Sequence, residues 1–302
     1  MSGTSNLPFD LFEVDYTRYS NRQLAAVPLA VLAIALVVIA ATFALTGAPV
    51  DPGVEFTGGT ELRLAVDAPN DAAARDQIGQ AFSATPESIR SVAAADNTYI
   101  VTFESQDGGG APTTTQLENQ AEQAGFEIRS IDAVGPSFGA DTQILALGGV
   151  GLAFLGMSIL VFAMFRTFVP SIAVVISAFS DIVIPVALMN LLGIELSLGT
   201  VAALLMLIGY SVDSDILLNN HVLRRSGDFY TSVASAMRTG VTMTLTSLAA
   251  MVVMTITATL FGIQLLASIG IVLVFGLTAD LMNTYMLNLS LLRWWKFEGV
   301  AR

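Results

Sequence analysis

The sequence contains no cysteine, and its 302 residues include one histidine, His221, and one lysine, Lys296. Without cysteine the chain has no disulfide bonds, thiolate nucleophiles, iron–sulfur clusters or zinc–thiolate sites, and a single histidine cannot form a histidine-based metal cluster. No GxxxxGK[ST] run is present, so this route to ATP binding is excluded. We therefore predict no catalytic residues, no enzymatic activity, no metal and no cofactor, and we expect no nucleic-acid partner.

Charged residues are also scarce, at 13% of the chain compared with about 25% in a typical soluble domain. Hydrophobic residues make up 54%, and they form long uncharged runs that are typical of membrane spans. The first run, 24–45, would extend roughly 30 Å as a helix, which is too long for the apolar part of a signal peptide. Five further runs are present, at 144–165, 169–192, 196–218, 241–260 and 263–292. We predict a membrane all-α bundle of six transmembrane helices.

Basic residues near the ends of these runs predict the orientation. All nine fall on one side of the membrane: Arg18, Arg22, Arg166, Arg224, Arg225, Arg238, Arg293, Lys296 and Arg302. We therefore expect a cell-membrane protein, in contact with lipids, whose two termini are cytoplasmic. The predicted regions are a cytoplasmic N-terminus (1–23), helix 1 (24–46), an extracytoplasmic domain (47–142), helices 2–6 (143–292) and a cytoplasmic C-terminus (293–302).

The predicted extracytoplasmic segment 47–142 carries 15 acidic residues and four arginines, a net charge of −11 out of −12 for the whole chain. Its acids are scattered and do not form a DxDxDG-like calcium loop, so an adaptation to high salt is favoured over a calcium site or a basic partner. Alternation and capping residues predict strands and helices in the order β-α-β-β-α-β, at 61–67, 70–82, 89–95, 98–104, 113–124 and 126–134. This order is that of an α+β ferredoxin-like domain, a fold that by itself identifies no function.

Four aspartates lie within the predicted spans: Asp181, Asp213, Asp215 and Asp280. A charged side chain in mid-bilayer costs about 2.5–3.5 kcal/mol on insertion scales, so each requires an explanation. One explanation is a hydrogen-bonded carboxylate that packs helices together. However, four aspartates in one bundle, with Arg238 at the predicted inner end of span five, favour a proton or ion relay.

The spacing of these aspartates predicts which polar neighbours share their helix faces. Asp213 and Asp215 are two residues apart, about 200° around a helix, so they point in different directions. The polar neighbours on these faces are Tyr210 and Asn220 for Asp213; Ser211 and Asn219 for Asp215; and Asn283, Thr284 and Asn288 for Asp280. We treat Asp213, Asp215, Arg238, Asp181 and Asp280 as relay candidates, with Tyr210, Ser214 and Asn283 as supporting polar residues.

A second motif, VEFTGGT, occupies positions 54–60, and its paired glycines permit a tight backbone with positive φ. Together with GYSVDSD at 209–215, it resembles the signatures of the SecF family of the Sec protein-export machinery, within the resistance-nodulation-division superfamily. The Arg238-Thr239 pair is similar to the family's start of span five. The resemblance covers the full length, and its motif after helix 1 corresponds to Glu55, Phe56, Thr57, Gly58, Gly59 and Thr60.

This resemblance implies an accessory subunit of the protein translocase. Such a subunit would act with SecD beside the SecY channel to promote export or release of unfolded polypeptides, with bacterial members attributed proton coupling. The sequence departs from the bacterial pattern, because the family's aspartate falls at Ser214, and Asp213 sits where SecD usually carries its own. Asp280 and Asn283 replace small polar residues. These departures resemble the archaeal form, and the acidic domain suggests a haloarchaeon; they leave the driving ion and the coupling carboxylate open.

Two other functions remain compatible with the sequence. A small-solute or lipid transporter of the same superfamily usually has about twelve spans, so this chain would have to act as a dimer. A non-transporting assembly scaffold would use the aspartates only to pack helices. The presence or absence of SecD in the native complex, and the effect of neutralising the aspartates, would separate these alternatives.

Overall fold

The computed structural model describes residues 16–92, 97–103, 112–224, 228–261 and 263–299. The first half of the chain contains α1 (Asn21–Thr46), α2 (Val54–Thr57), β1 (Gly59–Ala65), α3 (Asp71–Ala81), β2 (Ser88–Ser91), β3 (Thr98–Phe103), α4 (Thr114–Gln123) and β4 (Glu127–Val134). The second half contains α5 (Pro136–Phe165), α6 (Phe168–Leu192), α7 (Leu198–Arg224), α8 (Phe229–Leu260), α9 (Gln264–Met282), a π turn (Asn283–Asn288) and α10 (Leu289–Trp294). The last three form one continuous rod.

Within the described ranges, six helices are long and apolar enough to cross a membrane. They are α1, α5, α6, α7, α8 and the rod that begins with α9, and they confirm the predicted membrane bundle with one small α+β domain. Of the nine basic residues behind the predicted orientation, Arg225 and Arg302 lie outside the described residues, as does most of the predicted N-terminus.

The helix ends follow local chemistry. Ser20 and Gln23 form a capping box at the start of α1, with Gln23 N–H donating to Ser20 Oγ at 3.3 Å and Ser20 N–H to Gln23 Oε1 at 2.9 Å. Gly47 then ends the helix in the left-handed region, at φ 81°. Helix α8 begins twelve residues before the predicted apolar run, because Asp228 accepts hydrogen bonds from the backbone N–H groups of Tyr230 and Thr231.

The four strands form one antiparallel sheet in the order β2-β3-β1-β4. This order, with the chain sequence β-α-β-β-α-β, confirms the ferredoxin-like arrangement. Central strand β1 pairs Leu62 with Val101 on one side and with Ile131 on the other. The core between the sheet and helices α3 and α4 is apolar, and the fully buried side chains in its described part are Leu62, Leu64, Ala74, Ile78, Val101, Leu117 and Ala121. We refer to residues 59–134 as the inserted domain.

Candidate functional site

Three of the four membrane aspartates meet inside the helical bundle. Asp181 comes from α6, Asp215 from α7 and Asp280 from α9, and each is at most 1% exposed. Hydroxyl and amide side chains from the same helices and from the π turn surround them. We refer to these three carboxyl groups and their hydrogen-bond donors as the carboxyl network.

Neutral donors hold each carboxyl group. Asp181 accepts a hydrogen bond from Ser211 Oγ at 2.5 Å and another from Asn283 Nδ2 at 2.6 Å. Asp280 Oδ1 accepts from Ser214 Oγ at 2.7 Å. Ser214 also lies 2.9 Å from the carbonyl oxygen of Ser211, so the donors to Asp181 and Asp280 sit side by side on α7.

Thr284 links the remaining carboxyl group to this arrangement. Its hydroxyl lies 2.9 Å from Asp215 Oδ1 and 3.1 Å from Asp280 Oδ1. Because a hydroxyl has one proton to donate, Thr284 can donate to only one of the two aspartates at a time. Asn288 Nδ2 donates to the same Asp215 oxygen at 2.8 Å. A short hydrogen-bonded path therefore joins two carboxyl groups from different helices.

The π turn lies at the point where the rod meets this network. Asp280, Thr284 and Asn288 are spaced four residues apart and form one inward-facing stripe. In the π turn, Leu289 N–H bonds to the carbonyl of Thr284, five residues earlier. Such turns are rare in proteins, and those that occur often lie at functional sites. Here the turn contributes Asn283, Thr284 and Asn288 to the network.

Several acceptors of the network lack a partner in the described structure, and so does one nearby hydroxyl donor, that of Ser177 on α6. Asp215 Oδ2, Asn283 Oδ1 and Asn288 Oδ1 are buried and have no hydrogen-bond partner among the described residues. A buried polar atom without a partner costs free energy. A proton on one of the carboxyl groups would supply a further donor, so the arrangement is chemically able to hold a proton. Within the described part of the chain, no group of three or more His, Asp or Glu side chains is placed to hold a metal ion.

The other predicted relay residues lie elsewhere. Asp213 and Tyr210 are exposed on the opposite side of α7, as the 200° separation of Asp213 from Asp215 predicts, and Tyr210 is 41% exposed. Arg238 on α8 also has an exposed side chain. The structure thus brings together Asp181, Asp215, Asp280, Ser214 and Asn283, and it leaves Asp213, Tyr210 and Arg238 on the surface of the bundle.

Sequence reasoning missed part of the network. Ser211 and Asp215 are both buried, as their shared helix face predicts; the spacing did not predict that the Ser211 hydroxyl donates to Asp181 on the neighbouring helix. The polar stripe of Asp280 contained the signal for Thr284 and Asn288, since all three share one face. The aspartate that Thr284 or Asn288 contacts depends on how α7 packs against the rod, and a single sequence does not specify that packing.

The VEFTGGT segment joins the inserted domain to the bundle. Phe56 is 2% exposed and belongs to the apolar core of the bundle with Leu196 and Val201. Gly58 and Gly59 both have positive φ, 77° and 130°, as predicted for the glycine pair. Gly58 also lies against α5, where a Cβ on Gly139 would come within 2.8 Å of its nitrogen.

The remaining residues of this segment have distinct contacts. Glu55 accepts a hydrogen bond from the backbone N–H of Leu198, the first residue of α7. Thr57 Oγ1 lies 3.2 Å from the carbonyl oxygen of Gly58. Thr60 pairs with Phe103 in the sheet. The motif therefore performs a structural task at the junction of domain and bundle.

Comparisons with known proteins agree with this architecture. The family described as "Protein export membrane protein SecD/SecF, C-terminal" matches residues 114–298, and the family described as "SecD/SecF GG Motif" matches residues 43–69. Relatives named "Protein-export membrane protein SecF" include one from Haloferax volcanii, 76% identical over 97% of this chain and 99% of the relative. A second, from Pyrococcus furiosus, is 39% identical over 88% of each chain.

A solved structure has the same fold. The crystal structure of SecDF from Thermus, titled "a translocon-associated membrane protein", superposes with a TM-score of 0.67 at 20% identity, over 91% of this chain and 38% of that chain. Fold and site therefore define a polytopic membrane protein of the SecD/SecF type. The chain belongs to the SecF family of protein-export membrane proteins, and its haloarchaeal relatives confirm the predicted archaeal, haloarchaeal type.

Proposed function

We propose that this chain is a non-enzymatic subunit of the protein-export machinery that works with a separate SecD-type subunit. Family membership carries the proposal. The solved SecDF chain is much longer, and this chain spans only 38% of it. A second polypeptide is therefore expected to supply the part that corresponds to SecD.

The exposed side of α7 is the surface that we assign to this partner. Met206, Tyr210 and Asp213 recur at helical spacing and are all exposed. A carboxylate facing lipid would carry an insertion cost of about 2.5–3.5 kcal/mol, whereas a polar partner helix would remove much of that cost. Asp213, which occupies the position of the SecD aspartate in the family motif, then faces the partner instead of the carboxyl network.

We assign proton coupling to the buried carboxyl network. Its hydroxyl and amide donors are neutral, Thr284 bridges two of its carboxyl groups, and Asp215 Oδ2 has no partner in the described structure. A change in helix packing would alter the number of donors available to each carboxyl group, and hence the number of protons that the network holds. Arg238 on α8 is retained as a candidate at the entrance to this path.

The proposed orientation places both termini in the cytoplasm and the inserted domain outside. There the domain would meet exported, unfolded polypeptides beside the SecY channel, and the bundle would contact membrane lipids. The support for this orientation is the distribution of Arg and Lys at the helix ends.

The test is release of a pulse-labelled secretory protein in cells whose only copy of this chain is a variant. Asp215→Asn should slow release at normal membrane abundance, because it removes a proton-binding group while keeping a similar shape. Asp213→Asn should instead reduce co-purification of the SecD-type subunit. Asp132→Asn, an exposed change in the inserted domain, is the matched control and should alter neither measurement.

The outcomes separate the alternatives. Normal release in Asp215→Asn, Asp181→Asn and Asp280→Asn would contradict proton coupling and leave the network as a helix-packing element of a scaffold. A native complex that contains two copies of this chain and no SecD-type subunit would contradict the export proposal and favour the transporter dimer.

A further inference from the structure

Residues 49–58, between α1 and the inserted domain, are bound to residues 193–197, the loop between α6 and α7. The backbone N–H of Gly53 donates to Leu196 O at 2.9 Å, and that of Leu196 donates to Asp51 O at 2.8 Å. These bonds form a parallel β-bridge between Pro52 and Leu196. We refer to the two segments together as the clasp.

Side chains extend the clasp in two directions. Toward the bundle, Glu55 accepts a hydrogen bond from the N–H of Leu198, where the unpaired N–H groups and the dipole of α7 favour a carboxylate. Toward the inserted domain, Glu195 forms an ion pair with Arg90 of β2. Arg90 also lies 3.8 Å from the carboxylate of Asp51, on the other segment of the clasp.

The Arg90–Glu195 pair is partly shielded from solvent. The side chain of Glu195 is 13% exposed and that of Arg90 is 31% exposed. A partly buried ion pair is less screened by salt than one on an open surface. Glu195 lies three positions before Leu198 in the sequence, so the residue that holds the inserted domain is close to the first turn of α7.

Helix α7 connects this contact to the carboxyl network. Leu198 and Asp215 are 17 residues apart on one unbroken helix, a distance of about 25 Å at 1.5 Å per residue. The same helix carries two donors of the network, Ser211 and Ser214, and one of its acceptors, Asp215. A displacement of the helix at its first turn would therefore move these groups together.

We propose that the clasp is a coupling device that ties the position of the inserted domain to helix α7, with the Arg90–Glu195 ion pair as its releasable latch. This inference goes beyond the proposed function, since it concerns motion within this chain and holds whether or not the carboxyl network carries protons. Release of the latch frees the domain from the loop and loosens the first turn of α7.

The test uses the absence of cysteine, because introduced cysteines are then the only thiols to label. Spin labels at Gln80 on α3 and Leu192 at the end of α6, both exposed, report the distance between domain and bundle in the full chain reconstituted in lipid. Arg90→Ala should broaden the distance distribution and shift it to longer values. Arg129→Ala, which breaks an exposed pair with Glu127 in the same sheet, should leave it unchanged.

The charge-swapped chain with Arg90→Glu and Glu195→Arg should recover much of the narrow distribution. This rescue separates loss of the ion pair from general damage to the domain. An unchanged distribution in Arg90→Ala would overturn the latch.

Hydrogen exchange of residues 198–206 tests the coupling. Glu55→Ala should speed exchange in the first turn of α7 on the order of tenfold, the factor that corresponds to about 1.4 kcal/mol. Arg90→Ala should act in the same direction, and residues 171–189 of α6 should keep their protection in both variants. If Arg90→Ala moved the domain and left exchange in α7 unchanged, the coupling would be refuted and the clasp would be only an attachment point.

Discussion

The inserted domain and the helical bundle are built with opposite arrangements of polarity. The core of the domain is apolar, with Leu62, Leu64 and Leu117 fully buried, and its scattered acids suit a surface in water. The bundle exposes large apolar side chains, such as Leu152 at 73% and Val253 at 63%, and buries its polar network. The domain thus has a polar surface suited to water, and the bundle has an apolar surface suited to lipid.

The same residue type therefore has two different requirements in one chain. An aspartate of the domain is hydrated by water and needs no particular neighbour. An aspartate of the bundle must find donors on other helices, as Asp181 does with Ser211 and Asn283. Asp213 and Asp215 show this difference over two positions of one helix, the first exposed and the second completely buried.

The largest difference in stability is expected when a leucine is truncated to alanine in each of the two regions. Leu64→Ala, in the core of the inserted domain, should lower the free energy of unfolding by about 2–5 kcal/mol because it removes packing and leaves a cavity. Leu155→Ala, at an exposed position of α5, should stay within about 0.5 kcal/mol. Native-state hydrogen exchange of strand β3 in the full chain measures the first, and thermal unfolding of the bundle the second. Equal losses of unfolding free energy in the two variants would contradict the opposite arrangements of polarity in the domain and the bundle.

A charge placed on the surface of each region gives the next largest effect. Leu155→Arg should cost about 2.5–3.5 kcal/mol of insertion free energy, because its side chain would face hydrocarbon. Gln77→Arg, on the exposed side of α3, should cost almost nothing in water. The abundance of each variant in isolated membranes is the measurement. Full abundance of Leu155→Arg would indicate that this face of α5 does not contact lipid.

Two threonines give the smallest contrast. Thr113 caps α4, accepting a hydrogen bond from the N–H of Gln116 at 3.3 Å, and Thr113→Ala should cost about 1 kcal/mol. Thr246 is exposed on α8, and its hydroxyl donates to the carbonyl of Thr242 four residues earlier at 2.7 Å, so Thr246→Ala should be nearly neutral. Exchange rates in α4 and α8 would show the difference. A larger loss in Thr246→Ala would mean that this hydroxyl has a second role.

Much of the fold could be predicted because its signals are local. Alternation predicted the strands of the inserted domain, and apolar runs marked the six long helices. Capping residues at 70 or 71 and at 113 or 114 marked the starts of α3 and α4, and the structure selects Asn70 and Thr113. The start of α8 lies outside the predicted apolar run, because its first turns carry Ser and Thr among apolar residues. Phe229 and Val233 are buried against residues distant in sequence, and that packing supports the helix there.

The candidate site was only partly predictable for the same reason. The helical spacing of Asp213 and Asp215 correctly separated their faces, and the stripe of Asp280 grouped the right polar residues. The donors to Asp181 come from positions 30 and 102 residues away, and the Arg90–Glu195 pair joins two regions that share no local pattern. Contacts of this kind depend on the assembled bundle.

The two ends of the inserted domain are attached with almost no slack. At its start the chain passes through Gly58 and Gly59, and at its end Gly135 is the only residue between β4 and α5. The two joints are side by side, because Gly139, in the first turn of α5, packs against the backbone of Gly58. The domain is thus joined to the bundle at two adjacent points, which act as a hinge. Its least restrained motion is a rotation about the line through these points, and the Arg90–Glu195 ion pair opposes that rotation.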